Sequence, residues 1–190
     1  MLVRIIVLYF VFLTSMLNGQ APGLVIQGGV TSTFSKDPFI TNDGEAHYGW
    51  LVGADARILD GDLYFVVGGQ YSNTSLRSSS DPNFFVKRDW TQLAGRFGIG
   101  FNLWRLSEKV SFRSKLLGSI NFLIDAPKDA LLVPGYQKLN DSYLGAVSGL
   151  GLTIGMFDFD LEYQYGLINA YQAQPKSKFS GISLLAGFHF

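Results

Sequence analysis

Hydrophobic and polar residues alternate along most of the chain from residue 23 onwards. In the first such stretch Leu24, Ile26 and Val30 fall on one face of an extended segment, and Gln27 and Thr31 fall on the other. Successive side chains of a β-strand point to opposite faces, so this period of two predicts strands that contact two different environments. No helical stripe of similar length appears. The alternation recurs in eight segments: residues 23–34, 47–59, 63–71, 90–103, 110–124, 144–156, 157–167 and 179–190.

The connections between these segments alternate between short and long. Short links are expected near residues 60–61, 104–109 and 156–158, and long links near residues 35–46, 74–89, 123–142 and 170–178. Asp60-Gly61 is a dipeptide favoured in two-residue β-hairpins. If the first strand rises from the periplasm, all four long links lie on the outer side, as in bacterial outer-membrane barrels. The sequence therefore predicts an all-β fold, an eight-stranded antiparallel up-and-down transmembrane β-barrel.

A soluble eight-stranded barrel would show the same alternation, with its apolar face turned inward around a ligand. The polar face favours the membrane barrel, because a water-facing exterior normally carries more charge than the 16% of this chain and fewer glycines than its 22. Charges of both signs can pair across a narrow lumen that is too small for a diffusion pore. We expect seven mid-strand residues to form such a lumen charge cluster: Asp55, Arg57, Arg96, Arg113, Lys115, Asp160 and Glu162.

Aromatic residues on the apolar face are expected near the strand ends. Membrane barrels carry girdles of such residues where the hydrocarbon core meets water, and strands of ~9 to 11 residues suffice to cross it. The candidates for these girdles are Tyr48, Trp50, Tyr71, Trp90, Phe112, Phe157, Phe159, Tyr163 and Tyr165.

Residues 1–19 have the layout of a secretory signal peptide, with one cation at Arg4, an apolar run over residues 5–13, and small or polar residues after it. The apolar run is shorter than the ~20 residues that a membrane-spanning helix needs, which leaves a retained anchor as the alternative. Cleavage after residue 19 would make Gln20 the mature N-terminus. We expect a removed signal peptide over residues 1–19 and one outer-membrane β-barrel domain over residues 20–190.

Composition narrows the functional classes. Lys and Arg together number 15, as do Asp and Glu, so the formal net charge is zero and no basic field exists to bind nucleic acid. The absence of cysteine excludes disulfides, thiolate metal sites and a lipid-modified cysteine at the processing site. We therefore expect no nucleic-acid partner and no cofactor.

The last predicted strand carries a further signal. It ends in Ala186-Gly187-Phe188-His189-Phe190, in which apolar residues alternate up to a terminal aromatic. This ending resembles the signal that the barrel-assembly machinery reads in outer-membrane proteins, with Phe188 and Phe190 as its residues. The whole mature chain resembles the small bacterial outer-membrane β-barrel family, in the OmpA/OmpX-like and PorT-like group. The resemblance implies a Gram-negative outer-membrane location, with membrane lipid, lipopolysaccharide and the assembly machinery as partners. It implies a fold and a location rather than an activity, because no invariant catalytic motif defines that family.

Histidine chemistry is restricted because the chain has only two histidines. His47 is expected near the outer end of the second strand and His189 near the inner end of the eighth, so they should not share one Ser/His/acid hydrolase site. A lipid-modifying outer-membrane enzyme stays an alternative, with His47 as its candidate residue. A metal site of His47 with Asp43 and Glu45 lacks a recognised ligand spacing. We expect no catalytic and no metal-binding residues.

Apolar residues in the long links are candidates for contacts outside the membrane, or for packing over the barrel mouth: Phe39, Phe84, Phe85, Leu131, Leu132 and Tyr136. The sequence thus favours a non-enzymatic integral outer-membrane barrel with a structural or surface-interaction role through its external loops. A second hypothesis is an accessory subunit of a larger outer-membrane complex for secretion, assembly or uptake, in which the apolar wall contacts another outer-membrane protein. The lipid-modifying enzyme is the third.

Overall fold

The computed structural model describes residues 23–36, 46–58, 62–75, 89–107, 109–125, 140–174 and 176–190. They form eight strands: β1 (Gly23–Ser35), β2 (His47–Ile58), β3 (Leu63–Ser75), β4 (Asp89–Ser107), β5 (Val110–Asp125), β6 (Ser142–Ile154), β7 (Phe157–Gly166) and β8 (Phe179–His189). Each strand pairs antiparallel with its sequence neighbour, and β8 pairs with β1. The predicted eight-stranded up-and-down barrel is confirmed. In the described ranges, no helix has the length and apolarity needed to cross a membrane.

Two predictions made from the sequence concern other parts of the chain. The expected signal peptide over residues 1–19 and the expected mature N-terminus at Gln20 lie outside the described residues. Both stay predictions.

The stagger of the strands is fixed by their pairing register. A path through paired residues that leaves β1 at Leu24 returns to β1 at Phe34, ten residues further along the strand. The path runs Leu24, Ala56, Val67, Phe97, Gly118, Ala146, Tyr165, Ser180, Phe34. Eight strands with this stagger tilt by about 40° and enclose a lumen that their own side chains fill. Strand tilts of about that size are typical of outer-membrane barrels.

The two faces of every strand differ as the alternation predicts. Outward-facing positions are apolar and exposed, and mid-strand examples are Val67, Phe97, Leu116, Leu150 and Leu161. Inward-facing positions are buried and mainly polar, charged or glycine. Because large apolar side chains cover the outer wall all the way round, this wall requires a hydrocarbon solvent rather than water.

The barrel has two distinct ends. At one end β6 and β7 are joined by Gly155 and Met156 alone, and β4 and β5 by two residues, 108–109. Gly155 has φ +63°, a conformation that glycine adopts without a steric penalty. We call this end the short-turn end and the opposite one the long-loop end. Outer-membrane barrels keep short turns in the periplasm, so in such a barrel the short-turn end would be the periplasmic one.

The predicted short link over residues 104–109 is wrong for most of its length. Strand β4 continues to Ser107, where it still pairs with Val110 of β5. The register shifts between Asn102 and Trp104 and again between Arg105 and Ser107. Such β-bulges let a hairpin bend while its backbone hydrogen bonds continue, which a strict alternation of side chains does not reveal.

Aromatic side chains of the outer wall gather near both ends. Trp50 and Tyr71 stack toward the long-loop end with ring centroids 5.6 Å apart, and Phe157 and Phe188 meet toward the short-turn end at 5.7 Å. Trp90 does not belong to this set, so its prediction as a girdle residue is wrong. It is 4% exposed and points into the lumen. Residues an even number apart in a strand point to the same face, which we call having the same parity. Trp90 has the same parity as Arg96, which also faces inward.

Candidate functional site

The lumen half near the short-turn end is lined by charged residues. Strand β7 contributes three carboxylates at alternate positions, Asp158, Asp160 and Glu162, and each of them is buried. Strand β5 contributes Arg113 and Lys115 with the same spacing. Strand β6 lies between β5 and β7, so the charges of the two strands must reach each other across it.

These groups form one continuous alternating series, which we call the lumen ion chain. It runs Arg57, Asp158, Arg113, Asp160, Lys115, Glu162, Arg96, Asp55. Arg57 Nη2 lies 2.7 Å from Asp158 Oδ2, and Arg113 Nη2 lies 2.9 Å from Asp158 Oδ1 and 3.4 Å from Asp160 Oδ1. Lys115 Nζ lies 3.3 Å from Asp160 Oδ2 and 2.6 Å from Glu162 Oε1. Arg96 Nη1 lies 2.8 Å from Glu162 Oε2. Arg96 Nη2 also pairs with Asp55 Oδ2.

The lumen ion chain is electrically balanced and shielded from solvent. Four cations meet four carboxylates, and the most exposed of their side chains, Arg57, is 11% accessible. Burial of a charge costs several kcal/mol unless a partner compensates it. Each member of the series contacts at least one opposite charge, so the network can exist inside the barrel only as a set.

Glycines of β6 provide the space that these pairs occupy. A methyl group on Gly151 would overlap Asp160 Oδ1 and lie 3.0 Å from Arg113 Nη2. A methyl group on Gly149 would lie 2.9 Å from Lys115 Cε. The alternating glycines that the sequence shows in β6 are therefore gaps through which β5 and β7 form ion pairs.

Arg96 lies next to the deeper end of the series. Its guanidinium lies between Asp55 and Glu162, and Gln27 Nε2 donates a 2.8 Å hydrogen bond to Asp55 Oδ2. An arginine fork suits this position, because it can bind two carboxylates in different directions at once. Space for Asp55 is again given by a glycine, since a methyl group on Gly68 would overlap its Oδ1.

The rest of the lumen is filled by neutral groups. A buried apolar cluster of Tyr64, Val66, Leu117 and Val147 packs beside the lumen ion chain. Toward the long-loop end the lining becomes uncharged and polar, and the Tyr143 hydroxyl donates a 2.6 Å hydrogen bond to Gln92 Oε1. The larger of the two cavities found in that half measures about 20 Å³.

An aromatic layer lies above this lining. Trp90 meets Phe179 edge to face at 4.9 Å, and Tyr143 lies 5.9 Å from the same ring. Side chains thus occupy the lumen from the ion chain up to this layer.

All seven residues that the sequence predicted for the lumen charge cluster lie in the lumen and belong to the ion chain. Their function as a plug stays a proposal. Sequence reasoning placed Asp158 on the polar face of its strand but left it out of the cluster. It is 1% exposed and joins Arg57 to Arg113. Its spacing from Asp160 and Glu162 was the signal that could have included it.

The histidines lie at opposite ends of the barrel. His47 pairs with Thr33 in the register of β1 and β2, and His189 pairs with Val25 in the register of β1 and β8. Both side chains belong to the inward-facing set. Within the described part of the chain, no group of His, Asp and Glu residues is arranged to hold a metal ion. Asp43 and Glu45, the other members of the considered metal site, lie outside the described residues.

The remaining candidates divide between the last strand and the long links. Phe188 and Phe190 are in ring contact at 4.8 Å, and Phe190 is 68% exposed at the short-turn end. Their function as an assembly signal is not tested by this geometry. The candidate loop contacts lie outside the described residues: Phe39, Phe84, Phe85, Leu131, Leu132 and Tyr136.

Comparisons with known proteins identify the fold. No protein-family model matches the chain, and no curated protein sequence matches it. Neisserial surface protein A, NspA, has a similar structure, with a TM-score of 0.56, 14% identity, and coverage of 90% of this chain and 98% of that one. The outer membrane enzyme PagL is similar at a TM-score of 0.55 and 9% identity, covering 87% and 98%. Ail, the attachment invasion locus protein of Yersinia pestis, gives 0.49 and 16%, covering 89% and 99%.

The closed sheet, the apolar outer wall and the ion-paired lumen together define a small transmembrane β-barrel of the kind found in bacterial outer membranes. The chain has the eight-stranded fold of the small outer-membrane barrels, as the resemblance in its sequence predicted. Its wall and its fold place it in the cell outer membrane.

Proposed function

We propose that the protein is a non-enzymatic integral outer-membrane barrel that holds its external loops at the cell surface, with the lumen ion chain as a rigid plug. The observation that carries this proposal is the lumen ion chain itself. It links β7 to β2, β4 and β5 across the lumen through buried ion pairs. A barrel braced in this way is a scaffold rather than a conduit.

The lumen argues against a transport function. An eight-stranded barrel has room for its own side chains and little else. Here the buried ion pairs cross one half, and polar and aromatic groups occupy the other half around a cavity of about 20 Å³. An ion or solute would have to displace buried, paired charges in order to cross.

The positions of the two histidines argue against a lipid-modifying enzyme. An enzyme that acts on membrane lipid needs a nucleophile and a base whose side chains the lipid can reach. His47 is 9% exposed and belongs to the inward-facing set. PagL is an enzyme with this fold, so the fold alone does not decide the question. A lipid-modifying activity is therefore the hypothesis against which the proposal must be tested.

The proposal is tested by reconstituting the purified protein in planar lipid bilayers. We expect no steady ionic current, because the lumen ion chain closes the barrel. The doubly substituted Arg96→Ser, Glu162→Ser variant is the control, since it shortens two crossing side chains and should leak. Steady unitary conductance of the unsubstituted protein would contradict the scaffold function.

Lipid analysis tests the enzyme hypothesis separately. Membranes that contain the unsubstituted protein and the His47→Ala variant should have the same lipid A and phospholipid composition. A lipid change that requires His47 would show that the barrel is an enzyme.

Native mass in mild detergent tests the accessory-subunit hypothesis. We expect a species that contains this chain alone, with bound membrane lipid and lipopolysaccharide as its partners. Reproducible co-migration with another outer-membrane protein would instead favour the accessory subunit.

Delayed folding of a Phe188→Ser, Phe190→Ser variant would identify these residues as the signal read by the barrel-assembly machinery.

A further inference from the structure

The short-turn end contains a cavity that a scaffold does not need. Its volume is about 240 Å³, more than ten times that of the cavity in the opposite half. Three arginines from three strands lie in its wall, Arg57 of β2, Arg105 of β4 and Arg113 of β5, together with the hydroxyl-bearing Ser111 and the amide Asn102. The cavity opens on the periplasmic side of the barrel.

The charge of this cavity follows from the order of the lumen ion chain. The series ends on Asp55 in the deeper lumen and on Arg57 at the short-turn end. Arg57 shares its partner Asp158 with Arg113, so two guanidinium groups face one carboxylate there. The short-turn end of a balanced chain is therefore positive.

Arg113 has unused donors at this cavity. Its side chain is 3% accessible, and its Nη2 contacts both Asp158 and Asp160. Its Nε and Nη1 donate to no acceptor in the part of the protein that the structure describes. A buried guanidinium N–H without an acceptor is unfavourable, and more so because the group is charged. Since Arg113 lines the cavity, an anion there would offer these donors an acceptor once the guanidinium group turned toward it.

The other two arginines of the cavity wall can also contact an anion in the cavity. Arg57 lies over the Tyr64 ring, 5.6 Å from its centroid, which holds its guanidinium at the cavity wall. Arg105 is half exposed, and among the described residues its one ion pair, with the exposed Asp62, has a long N to O distance of 3.8 Å. Exposed pairs of this kind contribute little, so Arg105 is free to turn toward a ligand.

The chemistry of the wall selects the class of ligand. Guanidinium groups bind phosphate and carboxylate oxygens through paired N–H donors. Three of them converging from different strands suit a tetrahedral anion, which offers oxygens in several directions, better than a flat carboxylate. The volume also leaves room for a substituent on the phosphate.

We propose that this cavity binds a phosphate group presented from the periplasm. The phosphate belongs either to a soluble phosphate ester or to the headgroup of a phospholipid in the periplasmic leaflet. This site is independent of the scaffold function, because a closed barrel can hold a ligand at its mouth.

The test uses the folded full-length protein in a neutral glycoside detergent, titrated with inorganic phosphate and with glycerol phosphate by calorimetry. Arg105→Gln is the informative variant, since Arg105 lies outside the lumen ion chain and its loss should not disturb folding. Lys109→Gln removes the same charge from the adjacent turn and serves as the control. We expect saturable binding that weakens about tenfold in Arg105→Gln and is unchanged in Lys109→Gln.

A second arm distinguishes the two sources of phosphate. The protein is placed in nanodiscs with or without phosphatidylglycerol, and the lipid that remains bound after delipidation is measured. Binding of the soluble esters supports a soluble ligand, and retention of phosphatidylglycerol that depends on Arg105 supports a lipid headgroup. The proposal is overturned if neither binds, if acetate competes as well as phosphate does, or if both variants weaken binding equally.

Discussion

Arg96 joins Asp55 to the rest of the lumen ion chain, because it is the member that pairs with Asp55 and also contacts Glu162. Its side chain is 1% accessible, so water cannot replace it as a partner. Glu162 keeps Lys115 as a second partner, whereas Asp55 would keep only the hydrogen bond from Gln27. A buried carboxylate with so little compensation is strongly unfavourable.

We expect Arg96→Met to lower the free energy of unfolding by about 3–5 kcal/mol, because it leaves buried carboxylates unpaired while conserving most of the side-chain volume. Arg96→Lys should recover part of the loss, since one ammonium group cannot bridge both acids as the arginine fork does. Urea-induced unfolding in lipid vesicles measures the change.

Arg105→Met is the matched control for this prediction. Arg105 lies in the same strand, but its pair with Asp62 is exposed, so the expected change is at most about 1 kcal/mol. Equal stability of Arg96→Met and Arg105→Met would show that the lumen ion chain does not brace the barrel.

At the scale of residues, sequence reasoning placed the charges well and the aromatics less well. In a narrow barrel with an apolar outer wall, charged side chains on the polar face of a strand must point into the lumen. The alternation of side chains was therefore enough to place the seven predicted cluster residues. Trp90 shows the limit. Its size and apolarity suggested the lipid-facing wall, yet its parity with Arg96 puts it inside the lumen. Parity is the stronger signal, because the backbone enforces it.

Strand β6 illustrates how one element determines the contacts of its neighbours. Its inward glycines carry no side chain into the lumen, and the ion pairs between β5 and β7 pass over them. Glycine weakens an isolated strand, so its use here must be offset by the packing that it permits. The outward-facing Gly95 of β4 differs, since a methyl group there would meet nothing within 4 Å.

We expect Gly151→Ala to destabilise the barrel by about 1–3 kcal/mol, because the added methyl group overlaps Asp160 and crowds Arg113. Gly95→Ala should be neutral or stabilising by up to about 1 kcal/mol, since it restricts the unfolded chain without a clash. Thermal unfolding measures the stability of both variants, because the folded and unfolded forms migrate as separate bands on gels. A result in which the two alanines behave alike would rule out the spacing function of Gly151.

Element bounds were predictable where alternation was strict. All eight predicted strands agree with the structure to within four residues at each end, because polar turns and glycines interrupt the pattern there. The end of β4 is among the largest differences, since the strand continues four residues beyond its predicted end. Two of the three register shifts between β4 and β5 lie near this turn, and a bulge breaks the alternation of side chains while the strand continues.

At the scale of the whole molecule, the alternation of side chains alone could not decide which face of the barrel is outside, and only the composition of the polar face favoured an apolar exterior. The structure decides it through curvature: large apolar residues line the convex wall and the ion pairs line the lumen. A soluble barrel of this topology would carry the opposite arrangement. The ion pairing itself could be expected in outline but not in its order, which depends on the stagger of ten residues around the barrel.

The most direct test of the central claim, an apolar wall in lipid around a closed polar lumen, measures the environment of outward-facing positions along β5. The chain contains no cysteine, so a spin label on one introduced cysteine reports that position alone. Labels at Phe112, Leu116 and Phe122 in proteoliposomes are compared with a label at the exposed Lys109 in the β4–β5 turn.

We expect the label at Leu116 to collide often with oxygen and rarely with a water-soluble nickel chelate, and the oxygen preference to decline toward Phe112 and Phe122. The label at Lys109 should show the reverse preference. If the chelate reaches Leu116 as freely as Lys109, the wall contacts water and the protein is not a membrane barrel.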